Sequence, residues 1–234
     1  RKNIIGIDTK IDTPYGSKKL IYADWIASGR LYKPIEKRIS EDIGPMVGNT
    51  HSGSTATGRA MTAAYHQAQR LVKNHVNADE NDVLIFTGSG MTSAIAKLQR
   101  IIGLKVPEQA KKFCAITLLN NMKCSEFHSE KRPVVFISHT EHHSNHTSWL
   151  ETLADVLVLD PSSDLTVNPD SLRKEIVKYR DRPLLIGSFS ACSNVTGYYP
   201  PYYELARIMH ENNGYCFVDF AASAPYVDID MHPA

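Results

Sequence analysis

One stretch limits what this chain can fold into more than any other: Tyr215-Cys216-Phe217-Val218-Asp219, followed by Phe220-Ala221-Ala222-Ser223-Ala224-Pro225. The first half is a continuous apolar run, the pattern of a strand covered on both faces. It ends in a carboxylate, and the small residues and proline beyond it stop the strand. A lone Asp at the carboxyl end of such a strand points into the crevice where open α/β sheets bind ligands. There it can neutralise a cation, hold a ribose hydroxyl or ligate a metal; otherwise it simply caps the next turn.

Further segments repeat the pattern of an apolar run, a polar or glycine-rich turn, and a helix. They start with a short strand at 20–23, a loop at 24–30 and a helix at 34–43 that Pro34 opens. A glycine-rich loop at 48–58 carries Asn49 and His51, polar side chains expected to face a cavity. A helix at 59–75 follows, with Met61, Tyr65, Leu71 and Val72 on one face. Strands are expected at 83–87, 134–138, 155–159 and 184–188, and helices at 94–102, 169–179 and 200–210. Residues 1–19 read as an irregular arm, and 105–132 as an inserted excursion. The alternation of β and α implies a largely parallel sheet with right-handed crossovers and helices on both faces.

Composition narrows the function classes. The 234 residues carry a formal net charge of +1, which makes no electrostatic case for nucleic acid or an anionic membrane. No apolar run reaches the length of a membrane span, and Arg1-Lys2-Asn3-Ile4 lacks the apolar core of a signal peptide. Cys114, Cys124, Cys192 and Cys216 show no CxxC spacing and are expected as free thiols in a reducing cytoplasm.

Four strand ends carry chemistry. After the strand at 83–87, Gly88-Ser89-Gly90-Met91-Thr92 leads directly into a helix, and free backbone N–H groups there suit a phosphate. The spacing is neither GxGxxG nor GxxxxGK[ST], so no nucleotide is specified. After 134–138 come His139, His142, His143 and His146; the i, i+4 pairs admit a zinc site, although Glu141 does not stand as in HExxH. A single imidazole that stacks on a bound ring fits the strand-to-helix position better. The strand at 184–188 leads to Asn194, and the run at 215–219 ends in Asp219. A phosphate cradle, an imidazole, a carboxamide and a carboxylate together suit a flat, phosphorylated, cationic heteroaromatic. Pyridoxal 5′-phosphate answers that description, and its electron-sink chemistry needs a carboxylate at the pyridine nitrogen.

The segments FTGSGMTSA (86–94), TEHHSNHTSW (140–149), SFSACSNVTG (188–197) and VDFAASAPYVDIDM (218–231), in this order, resemble the class V aminotransferase group. That group includes the cysteine desulfurases and selenocysteine lyases. YADWIASGRLYKPIEKRI (22–39) and GNTHSGS (48–54) resemble its N-terminal motifs, so the likeness runs over about residues 20–231. The resemblance implies the large domain of a fold-type I pyridoxal-phosphate enzyme, with 1–30 as an arm and first strand and 31–234 as the cofactor domain. It implies that Gly90, Met91 and Thr92 hold the phosphate, His142 stacks on the ring and assists proton transfer, Asn194 meets the phenolic oxygen, and Asp219 pairs with the ring nitrogen. Ala27, Ser28, Asn49 and His51 fall on the substrate side, and no metal is implied. The substrate would be an amino acid held as an external aldimine, the reaction desulfurase- or C–S lyase-like or a transamination, and the assembly a cytoplasmic homodimer.

Two departures from that group stand out. Ala222 occupies the place where desulfurases carry Gln in a D-x-A-Q pattern. None of the fifteen lysines lies in the S-x-H-K context of the Schiff-base lysine, and Met231-His232-Pro233-Ala234 comes before that motif would appear. The sequence is therefore expected to be a fragment, inactive alone and lacking the small domain. Two alternatives are a metal-dependent hydrolase built on the cluster His139 to His146, and a non-catalytic binding protein that keeps the fold.

Overall fold

The structure, a computed structural model, describes residues 1–106 and 132–233; the excursion expected at 105–132 lies almost wholly outside the described residues. The chain forms two compact units, one of residues 1–85 with 225–234 and one of 86–224.

The first unit corrects the N-terminal reading. Residues 10–19 form an antiparallel hairpin of β1 (Lys10–Thr13) and β2 (Gly16–Lys19), with Lys10 opposite Lys19 and Thr13 opposite Gly16. The Thr13 hydroxyl closes the turn: it donates to the Gly16 carbonyl at 2.7 Å and accepts from the Tyr15 N–H at 3.2 Å. Both strands are polar and exposed, so no apolar alternation betrays them. The strand expected at 20–23 does not form; only the Leu20 N–H extends the hairpin, to the Thr9 carbonyl at 2.8 Å.

Helix α1 (Lys33–Arg38) has Pro34 in its first turn, as expected. It continues as a π-turn over Ile39–Ile43 and a 3-10 turn over Gly44–Met46. Helix α2 (Ala56–His75) starts three residues earlier than its apolar pattern suggests, because Thr55 caps it by accepting from the Gly58 N–H at 3.0 Å. Its apolar stripe is covered only in part among the described residues: Met61 and Tyr65 are half-buried, whereas Leu71 is 62% exposed and Val72 is exposed as well. Residues 83–87 are a further correction. They are extended but pair with no strand among the described residues, and Val83 is 83% exposed. An apolar run selects burial only where a neighbouring strand completes its hydrogen bonds.

The second unit begins with α3 (Met91–Ile101) and holds a four-stranded parallel sheet of β3 (Val134–Ile137), β4 (Asp155–Val158), β5 (Leu185–Ser190) and β6 (Tyr215–Asp219). Between the strands lie α4 (His143–Leu150), α5 (Pro169–Ile176, continued by a 3-10 turn to Tyr179) and α6 (Tyr202–Glu211). The spatial order is β4-β3-β5-β6. After β3 the chain goes to one side, and it returns past β3 to lay β5 on the other side, so β3 and β5 flank a switch point.

Side chains of β3 alternate between two cores. Val134 and Phe136 pack with Leu172 and Ile176 of α5 and with Leu205, Ile208 and Met209 of α6. Val135 and Ile137 pack with Ile95 of α3 and Trp149 of α4. Every residue of β3 and β5 is buried, which is why their sequences run apolar without alternation. The strand at 215–219 corrects the expectation that it is covered on both faces. As β6 it forms an edge among the described residues; Tyr215 is 61% exposed, and burial is complete only at Asp219.

Candidate functional site

Three of the strand ends singled out in the sequence meet at one edge of the second unit. Register fixes two of them: Ser190, the last residue of β5, lies opposite Asp219, the last of β6. The Asp219 carbonyl also accepts the Ala191 N–H at 2.9 Å, so the pairing continues into the turn that carries Asn194.

Asp219 is buried, with 8% of its surface exposed. Its Oδ1 accepts the Ala221 N–H at 2.8 Å and has no other described hydrogen-bond donor. Burial pushes its carboxyl above the usual carboxylate range; the Ala221 N–H and the charge of His142 pull the other way without cancelling it. The side chain is thus a desolvated acid that gains from a cationic hydrogen-bond donor. Ala222 follows in a tight turn in which the Ser223 and Ala224 N–H groups both donate to the Phe220 carbonyl, at 3.0 and 2.8 Å. The methyl of Ala222 offers no hydrogen bond to a ligand.

His142 is the N-cap of α4. Its Nδ1 accepts the Ser144 N–H at 3.2 Å and lies 2.8 Å from the Ser144 hydroxyl. An Nδ1 that accepts leaves the proton of the neutral ring on Nε2. The same Ser144 hydroxyl also lies 3.9 Å from the Met91 sulfur, which brings the start of α3 beside the start of α4.

The turn before α3 is built for close approach. Gly88 has φ +53°, and a Cβ there would stand 2.2 Å from the Ser93 Oγ. At Gly90, the N-cap, no heavy atom lies within 4 Å of where a Cβ would be, and no side chain caps the helix. The N–H groups of Met91 and Thr92 are therefore open to an anion. Asn194 stands exposed in the turn closed by Gly197 N–H to Ser193 carbonyl at 2.9 Å, and its amide bonds to no described residue.

The histidine cluster does not assemble. His139 Nε2 lies 3.0 Å from the Leu165 carbonyl oxygen, and the ring centres of His142 and His143 are 6.1 Å apart. Among the described residues the three-donor group within metal-bridging reach is Asp79, Asp82 and His232, in the other unit. The zinc reading of 139–146 thus finds no ligand geometry.

The residues assigned to the substrate side belong to the first unit. Ser28 Oγ lies 2.6 Å from the Tyr22 hydroxyl in the loop that also exposes Ala27. Asn49 is exposed. His51 has φ +61°, donates its N–H to the Thr62 hydroxyl at 2.9 Å and packs edge-on against Tyr65. A cleft of about 390 Å³ along α2, lined by His66, Arg70, Lys73 and Asp82 among others, contains none of the candidates.

Glu141, to which the sequence analysis gives no role at the site, holds several strand and helix ends together. Its Oε1 accepts from Ser138 Oγ at 2.5 Å, and its Oε2 from Asn145 Nδ2 and Ser190 Oγ, both at 2.6 Å. Asn145, fully buried, in turn accepts from Ser188 Oγ at 2.6 Å and Trp149 Nε1 at 3.3 Å. The local signals are the spacings of Ser138 and Asn145, three residues before and four after Glu141; Ser190 lies on the neighbouring strand β5.

A parallel sheet whose β3 and β5 are covered on both faces, with a buried acid, a capping imidazole and an open helix start near its strand ends, defines an α/β protein with polar groups gathered at a switch point. The chain belongs to the aminotransferase class-V family, whose sequence profile matches residues 21–120 and 113–234. It is 24% identical over 225 residues to a probable cysteine desulfurase of Halalkalibacterium halodurans, a match covering 94% of this chain and 49% of that protein. The apo structure of a cysteine desulfurase from Thermococcus onnurineus superposes with a TM-score of 0.67 at 18% identity, over 90% of this chain and 46% of the other. The cysteine desulfurase CsdA of Escherichia coli gives 0.60 at 20% identity, over 87% and 45%. These likenesses establish fold-type I for the chain, which spans about half the length of the curated relatives it matches.

Proposed function

We propose that this chain carries the pyridoxal 5′-phosphate crevice of an enzyme that acts on an amino acid, with a cysteine desulfurase- or C–S lyase-like reaction as the first reading and transamination as the second. The observation that carries it is Asp219: a carboxylate buried at the end of β6, raised by burial, with one internal donor. The residues present fit the cofactor. A desolvated acid gains from a protonated pyridine nitrogen, and the uncapped start of α3 with open space over Gly90 suits a phosphate.

When bound, the cofactor supplies an electron sink for the bond-breaking at the substrate's Cα. The chain's own groups do the rest. Asp219 would hold the proton on the ring nitrogen, and Gly90, Met91 and Thr92 would anchor the phosphate through backbone N–H groups and the Thr92 hydroxyl. His142 would cover the ring, and its Nε2–H, set by the Ser144 bond to Nδ1, is a hydrogen-bond donor. Asn194 supplies an amide to the phenolic oxygen, a contact that Ala222 cannot make. The relatives' name, cysteine desulfurase, favours an amino acid with a sulfur leaving group. A cytoplasmic homodimer accompanies this reading.

Titration of the protein with pyridoxal 5′-phosphate, followed by absorbance before and after borohydride, tests it. Saturable binding is expected, weakened roughly tenfold or more by Asp219→Ala through loss of one charge-assisted hydrogen bond. Equal affinity in the variant, or no binding by the protein, overturns the assignment.

A further inference from the structure

We propose that Glu141 is a positioning residue that fixes the imidazole of His142 by tying the first turn of α4 to the ends of two strands. The proposal rests on the reading of His142 as the imidazole of the crevice. Its observations are independent of any ligand. Glu141 directly precedes the N-cap, and its carboxylate gathers three donors from three places: Ser138 just past β3, Ser190 at the end of β5, and Asn145 on α4. Two hydroxyls and an amide N–H each donate to a carboxylate oxygen, so every bond is of matched polarity.

The geometry explains why these bonds act on His142 in particular. Ser190 stands opposite Asp219 in the β5–β6 register, so the Glu141–Ser190 bond sets the α4 turn against the strand that carries the acid. Asn145 is held a second time, by Ser188 and Trp149, so the helix end cannot rotate without breaking several bonds at once. With residues 141 and 145 pinned, residue 142 between them has its backbone fixed. The Ser144 N–H then lies where Nδ1 accepts it. The tautomer of His142, and with it the proton on Nε2, follows from a carboxylate that does not bond the imidazole itself.

The full chain carrying Glu141→Ala, Glu141→Gln or Ser190→Ala is compared with wild type by nitrogen-detected histidine spectra, which report the tautomer of each ring; His142→Asn assigns the signal. Pyridoxal 5′-phosphate affinity is measured alongside. Wild type is expected to show the Nε2–H form at His142. Glu141→Ala removes all three bonds and is expected to give a mixture of tautomers and roughly tenfold weaker binding. Ser190→Ala removes one bond and moves both readings the same way by less. Glu141→Gln restores them, because its amide oxygen can take the place of Oε2 while its NH₂ donates to the Ser138 hydroxyl.

An unchanged His142 spectrum in Glu141→Ala, or in Ser190→Ala should the first variant not fold, overturns the proposal, as does a Gln variant as defective as Ala. A wild type that does not bind pyridoxal 5′-phosphate overturns the proposed function instead, and the histidine spectra still decide the role of Glu141.

Discussion

His232 Nε2 lies 2.8 Å from Asp82 Oδ2 and joins the 225–234 segment to the turn after α2. The Met231 N–H donates to the Val76 carbonyl at 3.0 Å, and Asn77 Nδ2 donates to Asp230 at 2.7 Å, so the segment is tied at three points. Bonding to Asp82 raises His232 from its ordinary value of 6.5, and the same bond lowers Asp82 from 3.8. The His232 contribution is complete below 6.5 and is lost as pH rises through its raised value. The Asp82 contribution is complete above 3.8 and is lost as pH falls through its lowered value. Protection of the Met231 amide from hydrogen exchange, corrected for the intrinsic rate, is therefore expected to be greatest at about pH 4–6.5 and to decline in alkali. In His232→Gln the alkaline decline should vanish.

Asp219 carries a cost in the cofactor-free protein. Its folded-state value is raised by burial, so the folded state holds a proton that the unfolded state releases. The cost is full above the raised value and disappears below 3.8. Asp219→Asn keeps an acceptor for the Ala221 N–H and removes the desolvated charge. Thermal unfolding without cofactor is expected to show the variant more stable than wild type at pH 8, with the gain shrinking to nothing towards pH 3, while its affinity for pyridoxal 5′-phosphate falls.

Gly88→Ala meets both a left-handed backbone and a side chain in the way: φ is +53°, and the Ser93 Oγ and Cβ would lie 2.2 and 2.3 Å from the new carbon. A loss of roughly 1–3 kcal/mol is expected in denaturant unfolding from backbone strain alone, and more from the clash. Adding Ser93→Gly should recover the clash component and leave the strain.

Cys216 is a thiol that should not react. Burial pushes it up to about 12, and it lies within β6. Peptide-mapped alkylation of the native protein at pH 8 is expected to leave Cys216 unmodified and to label it fully after denaturation. Rapid native labelling would show that β6 opens.

The parts of this molecule legible in its sequence are those where a segment declares its own environment. The strands at 134–137, 155–158, 185–190 and 215–219 were readable because sustained apolar runs between turn signals have few other uses, and the polar residues after them marked the crevice. The same rule failed at 83–87, where an apolar run exists but no described strand pairs with it. It failed in reverse at 10–19, where turn chemistry at Thr13 and Gly16 makes a hairpin out of polar residues. Glu141 was passed over for a third reason. Its partner Ser190 is 49 residues away, and no local pattern states that two strands separated by β4 in the chain will be neighbours in space.

The division between the registers of β3, β5 and β6 and the turns beyond them has a consequence for how this chain can change. Alignment of the strands is secured below, by Val135, Phe136, Ile186 and Phe189, none of which reaches the crevice. The proposed chemistry sits above, in segments 139–142, 191–197 and 219–224 at the strand ends. New reactivity can therefore be sampled in those three segments while the scaffold underneath keeps its footing, and the one exchange that spans both levels is the acid at 141.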